Sequence, residues 1–418
     1  MDCDLLVIGA GAAGIAAARA ARAAGRSVRV LEARHRPGGR ALTDATTLGA
    51  PFDLGATWLH AAERNPVAHL ARSLGIGLAD ADSARQEQSY VGDRPVNAAE
   101  QAAYDAAWEA FEPAIKARAA LPGPDIAAAE AAPRGGPWDA TIAAWYGQVI
   151  SAWPLEAISL RDFAATLLSG SNLLPAGGLG ALVALLAEGL PIAFGAEVTE
   201  LRWGGAEAVA RGGFGTLRAG AVICTLPTTL LAAGTIRFDP PLPPETIQAA
   251  HDLPMGAAIK VALRAAGEDR LGLPAHFSTD RQVAPGEALV PITFWPQGHP
   301  YASAWIGGPL AVELEREGPA AIETFLLGEI AARLGSAAPR AFRPGVLASA
   351  WFTDRLARGV YTHARIGAAG ARAVLAAPLA GGRLCLAGEA CHPDLAGTVG
   401  GAWLSGEAAA GHALATRA

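Results

Sequence analysis

Gly9, Gly11 and Gly14 stand in the spacing G-x-G-x-x-G between a short apolar run and an alanine-rich one, and Glu32 follows eighteen residues on. Without side chains at those glycines the backbone turns tightly. A pyrophosphate can then approach a helix N-terminus, whose unpaired N–H groups and dipole favour anions. An acid closing the next strand is placed to accept hydrogen bonds from a ribose hydroxyl. These residues predict a bound dinucleotide, and the pattern alone does not separate FAD from NAD. Directly after Glu32-Ala-Arg34 comes Arg36-Pro-Gly-Gly-Arg40. Its glycine pair, Gly39 included, lets the chain pass close to the same pyrophosphate, with Arg34 and Arg40 offering positive charge.

The next candidate is a lysine. Of 33 basic residues only Lys116 and Lys260 are lysine, so arginine serves wherever a generic positive charge is enough. Lys260 lies in the apolar segment Ala257-Ala-Ile-Lys-Val-Ala-Leu263, where strand alternation sets it on the face opposite Ile259 and Val261. A compact ammonium on a thin stem can hold an ordered water where a guanidinium would not fit. Lys116, on an Ala/Arg-rich helix, is expected in solvent. Near the end of the chain Thr398 is a suitable N-cap, and Val399, Ala402, Trp403, Gly406, Ala410 and Ala413 recur at helical spacing. Glycine in a helix costs about 1 kcal/mol relative to alanine. Gly400, Gly401 and Gly406 therefore predict close approach of a flat group to this helix, with plain helix–sheet packing as the alternative. Cys391-His392 has no ligand partners nearby in sequence, and no metal site is expected.

These groups need elements to position them. Residues 4 to 31 read as one βαβ unit: strand Asp4–Ile8, the glycine loop, helix Ile15–Ala24 with Gly25 at its C-cap, and strand Ser27–Leu31. Residues 63–177 read as mostly helical. Residues 196–225 break into short alternating segments, the first opened by Val198, which is assigned to the cofactor site. Pro-rich Asp239–Pro244 marks a boundary, and residues 255–350 mix strands with a helix around Ala320–Leu334. The end of the chain repeats the opening logic: strand Leu384–Ala387, a turn at Gly388-Glu389 and a helix from about Thr398. The cofactor domain is therefore expected to be discontinuous, made of residues 1–75, 178–240 and 351–418, with 76–177 and 241–350 forming a substrate-binding domain.

Composition excludes several classes. The chain has 418 residues, 17% of them charged, and a net charge of −6, so no nucleic-acid partner is expected. No apolar run approaches the roughly 20 residues of a membrane helix, and no leader peptide is read at the start. Four cysteines, Cys3, Cys224, Cys385 and Cys391, form no CxxC pair. A reduced, cytoplasmic protein is expected.

Five motifs in order resemble the flavin amine oxidase family, which contains monoamine oxidases, polyamine oxidases and flavin histone demethylases. They are the Glu32 to Arg40 string; Asp53-Leu-Gly-Ala-Thr-Trp-Leu-His60; Leu253-Pro-Met-Gly-Ala-Ala-Ile-Lys260; Trp351 with Tyr361; and Leu386-Ala-Gly-Glu389 followed by Gly397-Thr-Val-Gly-Gly-Ala-Trp. The resemblance implies an α/β two-domain flavoprotein with a Rossmann-like FAD unit and a mixed sheet-and-helix substrate domain. It implies FAD held non-covalently, because Val360 sits where flavinylated relatives carry a cysteine. In the family's pattern Gly55, Ala56, Thr57 and Trp58 face the flavin, Trp351 packs behind it, and Gly388, Glu389, Thr398 and Val399 close over it. The final helix points its N-terminus at the ring's N1/O2 edge, and the close-approaching flat group is the ring itself. Lys260 corresponds to the lysine water-bridged to flavin N5, and Tyr361 to one aromatic of a substrate cage. Thr398 stands where monoamine oxidases carry the second tyrosine. His60 matches a loop histidine of animal polyamine oxidases.

The expected reaction is oxidation of an amine C–N bond to an imine, with molecular oxygen reduced to hydrogen peroxide. The partners are a small-molecule amine and oxygen, without nucleic acid or membrane; a homodimer is left open. An L-amino acid oxidase or biosynthetic tailoring oxidase of the same fold is the first alternative, although no arginine lies at 56–62 to bind a carboxylate. A non-catalytic flavin-binding scaffold is the second. Carboxylates selecting a second amino group are not identified; Glu156 and Asp162 are the candidates.

Overall fold

A strand with neither face in water needs neighbours on both sides, which favours parallel pairing with covering helices. Cys3–Ile8 is such a strand, with Leu5, Leu6 and Val7 fully buried. In the computed structural model, which describes residues 1–81 and 85–415, it lies parallel to Val28–Glu32 and to the second half of Gly215–Cys224. Ile192–Phe194 and Leu384–Leu386 extend this parallel set at its two sides. The first half of Gly215–Cys224 pairs antiparallel with Ala208–Gly212, which continues to Val198–Arg202 and Arg237–Asp239. One ten-residue strand thus joins a parallel core to an antiparallel extension. Its side chains change accordingly, mostly exposed up to Arg218 and buried from Ala219 on. Within 196–225, read from sequence as short alternating segments, residues 215–224 are this single strand.

The helix Ala12–Ala23 covers the parallel set and packs along the final helix, Val399–Ala415. Small residues make this contact. A methyl group at Gly406 would collide with the Ala13 carbonyl, one at Gly401 with the Leu395 carbonyl, and one at Gly400 would crowd the Asn65 side chain. The three glycines are therefore explained by protein–protein packing. The expectation that they make room for a flat group is corrected.

A second, seven-stranded sheet runs in the order Leu347–Ala348, Ala258–Arg264, Tyr301–Gly307, Ile292–Phe294, Phe277–Arg281, Gln86–Val91, Arg94–Pro95. Its central strands are antiparallel, and the register places Lys260 opposite Trp305. Helices Pro309–Glu317 and Pro319–Leu334 pack on the same core as its central strands. A separate helical group carries Ala98–Ala119, which opens on a capping box of Asn97 and Glu100. It also carries Asp139–Ala144, which widens into a π-helical turn at Trp145–Ile150. The mostly helical reading of 63–177 thus needs correction: Leu78–Asp80, Gln86–Val91, Arg94–Pro95 and Leu173–Pro175 are strands. The first half of Gln-Glu-Gln-Ser-Tyr-Val is exposed near the sheet edge, so it lacks the apolar alternation by which a strand is read. No helix among the described residues is long and apolar enough to cross a membrane.

Candidate active site

The glycine loop folds as its spacing demands. Gly9 has φ +99°, and a methyl at Gly14 would strike the Gly9 carbonyl, so neither position accepts a side chain without strain. At Gly11 an added methyl would meet nothing within 4 Å, and no side chain caps the helix that begins there. First-turn amides without intrahelical acceptors are left free to meet an anion. Buried Glu32 accepts from the backbone N–H of Ala10 (2.7 Å) and of Arg34 (2.8 Å), which ties the end of the second strand to the glycine turn. Gly39 sits at φ +58° against the Gly11 backbone, and Gly38 bridges to Gly11.

The two arginines expected to offer charge here separate. Arg34 forms a two-pronged pair with Asp354 at 2.7 and 2.8 Å, while Arg40 donates to the Val360 carbonyl (2.5 Å) and to Glu389 (3.1 Å). Arg36, given no role from sequence, donates to the carbonyls of Pro37 and Gly39 and so braces the glycine pair. Glu389 is buried and also accepts from the Thr362 hydroxyl (2.7 Å) and the Gly397 N–H (3.1 Å), fastening the closing signature to the Tyr361 segment. Gly388 donates its N–H to Ser405 within the final helix. Thr398 caps that helix, its hydroxyl accepting from the Gly401 N–H at 2.9 Å, and Val399 begins it.

Lys260 is 8% exposed on a strand buried on both faces. Its ammonium donates to the Gly55 carbonyl (3.1 Å) and to the Thr57 hydroxyl, and lies 5.5 Å from the ring centres of Phe52 and Trp58. Asp53, the nearby acid, is occupied elsewhere: it accepts from the Thr43 hydroxyl and from the N–H groups of Leu179 and Gly180. Burial pulls the Lys260 ammonium down to about 8, with Asp53 opposing. Lys116, by contrast, is exposed and pairs with Glu112 one helical turn away.

A cavity of about 1040 Å³ joins these groups. Its volume lies just above the roughly 300–1,000 Å³ typical of small-ligand sites. Gly9, Gly11, Glu32, Arg34, Gly39, Arg40, the segment 55–58, Val198, Lys260, Trp351, Tyr361, Gly388, Glu389, Thr398 and Val399 all line it, as does His60, while Gly14 lies behind Gly9 and does not. His60 meets Asn172 at 2.6 Å and lies beside Trp58, their ring centres 6.0 Å apart. Trp351 donates its indole N–H to Leu54 and packs against Gly55. The Tyr361 hydroxyl reaches the Val149 carbonyl at 3.4 Å, and burial, with Glu389 nearby, raises its pKa. An open glycine cradle, an uncapped helix start and an acid at the strand end fit a dinucleotide, and the remaining length of the cavity carries Lys260 and the aromatic side chains.

A family model described as flavin containing amine oxidoreductase matches residues 12–414. The chain belongs to that family. Among its relatives, polyamine oxidase 5 of Oryza sativa subsp. japonica is 30% identical, over 97% of this chain and 87% of its own. Lysine-specific histone demethylase 1 homolog 1 of the same plant is 28% identical over 96% of this chain, which spans about half of that longer protein. Putrescine oxidase, solved as wild type bound to putrescine, superposes with a TM-score of 0.81 at 21% identity over 99% of both chains. That likeness identifies the fold as the two-domain mixed α/β arrangement of flavin amine oxidases. The family it belongs to is one of flavin-containing amine oxidoreductases.

The two candidate acids are placed differently. Glu156 is exposed and absent from the cavity wall. Asp162 lines the cavity and is paired there with Arg372, at 2.7 and 2.8 Å, both side chains 4% exposed. The residues that sequence reasoning missed are on the helical wall: Tyr104 and Trp108 at i and i+4 on one helix, Trp145 on the π-helical turn, and Asp280 facing them. The i, i+4 aromatic pair was the available signal; Asp280 offered none.

Proposed function

We propose that this amine oxidoreductase removes two hydrogens across the C–N bond of a primary or secondary amine, giving an imine that water hydrolyses, with oxygen reduced to hydrogen peroxide. FAD, when bound, supplies the two-electron acceptor. Gly9, Gly11, Gly14 and Gly39 would cradle its pyrophosphate, Glu32 a ribose, and Gly55–Trp58, Trp351, Gly388, Glu389 and Val399 the remaining length. The unit carrying these residues would be the one drawn from 1–75, 178–240 and 351–418, with 76–177 and 241–350 forming the substrate side. Non-covalent retention is supported by the absence of cysteine from the cavity wall among the described residues.

The observation that carries the reading is the buried Lys260 ammonium, held by Gly55 and Thr57 in the same cavity as the glycine cradle. There it holds a proton-donating centre in a water-poor site without a carboxylate partner. Tyr361 and Trp58 offer aromatic faces along which an amine is guided and oriented, and Thr398 lines the cavity without adding a second phenol. Anaerobic addition of amines to the yellow protein tests this. Polyamines or alkylamines should bleach the flavin absorbance, and readmitted air should restore it with peroxide release. Bleaching by L-amino acids alone would refute it in favour of the amino acid oxidase reading.

A further inference from the structure

A chain of buried charges runs along the cavity wall. Asp162, on the helix Leu160–Thr166, takes two bonds from Arg372, on the helix Ala371–Ala376, at 2.7 and 2.8 Å. Arg372 donates onward to the Thr362 hydroxyl (2.9 Å), and that hydroxyl donates to Glu389 (2.7 Å). Glu389 in turn accepts from Arg40 at 3.1 Å. Asp162, Arg372, Thr362 and Glu389 are each at most 6% exposed, and all of them line the cavity. A guanidinium only donates and a carboxylate only accepts, so the Thr362 hydroxyl has a single orientation between them.

Stability alone does not account for such a chain. A buried ion pair is often worth no more than apolar side chains of the same size, because desolvation offsets the attraction. What the chain does is fix geometry, and the residue it encloses is Tyr361. On one side of that residue Arg40 donates to the Val360 carbonyl (2.5 Å). On the other, Thr362 is held through its hydroxyl, and Arg372 also reaches its carbonyl at 3.3 Å. Glu389 accepts from the Gly397 N–H (3.1 Å), and Gly397 lies against the ring: a methyl there would sit 3.6 Å from the Tyr361 Cβ. The phenol end is held less firmly. Its hydroxyl lies 3.4 Å from the Val149 carbonyl, longer than an ordinary hydrogen bond. The place of the ring is therefore set at its base.

We propose that Asp162, Arg372 and Thr362 are positioning residues, which together with Glu389 hold Tyr361 in the one place from which its ring orients an amine for oxidation. This rests on the amine-oxidase reading, and the test separates the two.

Thr362→Val keeps the shape of the side chain and removes both hydroxyl bonds, whereas Thr362→Ser keeps them. In the flavin-bound protein Thr362→Val should lower kcat/KM for the best amine roughly 10- to 100-fold, as a misplacement of about 1 Å does. Thr362→Ser should leave it near the wild-type value. In a Tyr361→Leu background, where there is no ring to position, Thr362→Val should have no further effect beyond about 2-fold, the size at which coupling is resolved. A larger loss in that background, or Thr362→Ser as impaired as Thr362→Val, overturns the proposal. A second readout needs no turnover. The chain has five tyrosines, so labelling with fluorotyrosine gives few fluorine resonances, and Tyr361→Phe assigns the one from Tyr361. Thr362→Val should shift or broaden that resonance and Thr362→Ser should not; an unmoved resonance in Thr362→Val overturns the proposal. If a variant turns over too slowly to measure, the resonance decides alone. If no amine bleaches the wild-type flavin, the oxidase reading fails by itself and the resonance still decides the positioning. If Thr362→Val does not yield yellow protein, Asp162→Leu combined with Arg372→Met, which strands no charge, takes its place with the same expectations.

Discussion

Replacing Lys260 by methionine isolates the one buried ammonium of the cavity. The environment lowers its pKa from 10.5 to about 8, and at 1.36 kcal/mol per unit the charged form opposes folding by about 3 kcal/mol. The unfolded chain holds this proton up to its ordinary pKa and the folded chain releases it from about 8. Between those values the unfolded state binds more protons, and stability rises with pH. Lys260→Met lacks the opposition below pH 8 and lacks the rise above it. It forfeits two hydrogen bonds, to Gly55 and Thr57, worth about 1 kcal/mol each. The variant is therefore expected to be more stable than wild type by about 1 kcal/mol at pH 7, and less stable by about 2 kcal/mol near pH 10.5. Buried Cys224, Cys385 and Cys391, whose thiols burial raises to about 12, push both proteins the other way over this range, so only the difference between them reports on Lys260. Denaturant midpoints of the two flavin-bound proteins from pH 7 to 10.5 measure it. A difference that does not change with pH would refute a desolvated Lys260.

Asp162→Asn strands the Arg372 guanidinium in the interior and should cost about 3–5 kcal/mol, read as a lower denaturant midpoint. Glu32→Gln turns an acceptor of two backbone N–H groups into a group with one acceptor and one donor. FAD affinity, measured from the absorbance retained after gel filtration, should fall roughly 10–100-fold for the loss of charged hydrogen bonds. Gly406→Ala drives a methyl onto the Ala13 carbonyl between two packed helices and should lower thermal stability by about 1–3 kcal/mol. Gly411→Ala, five residues along the same helix with open space at its Cβ, should instead gain up to about 1 kcal/mol.

The legible parts were those whose geometry is local. The Gly9–Gly14 spacing and Glu32 lie within one βαβ unit, so their meeting requires only that two strands and a helix form. Lys260 stood out because arginine had displaced lysine nearly everywhere else, and the structure buries it among Gly55, Thr57 and Trp58. The glycines of the final helix were readable as a need for space. What fills that space, Ala13 of a helix almost four hundred residues earlier, is a tertiary fact. The partner of Arg34 was hidden for the same reason, since Asp354 comes from the far end of the chain.

Asp280 lay beyond sequence reasoning because strand register decides everything about it. Side chains alternate faces, so a slip of one residue would turn Asp280 behind the sheet and Arg281 into the cavity. Phe277–Arg281 carries no apolar pattern strong enough to fix that choice. Its register comes from pairing on both sides, antiparallel to Ile292–Phe294 and parallel to Gln86–Val91, and the second of these strands was itself invisible in the sequence. The same pairing that aims Asp280 at Tyr104 and Trp145 turns Arg281 towards Glu329.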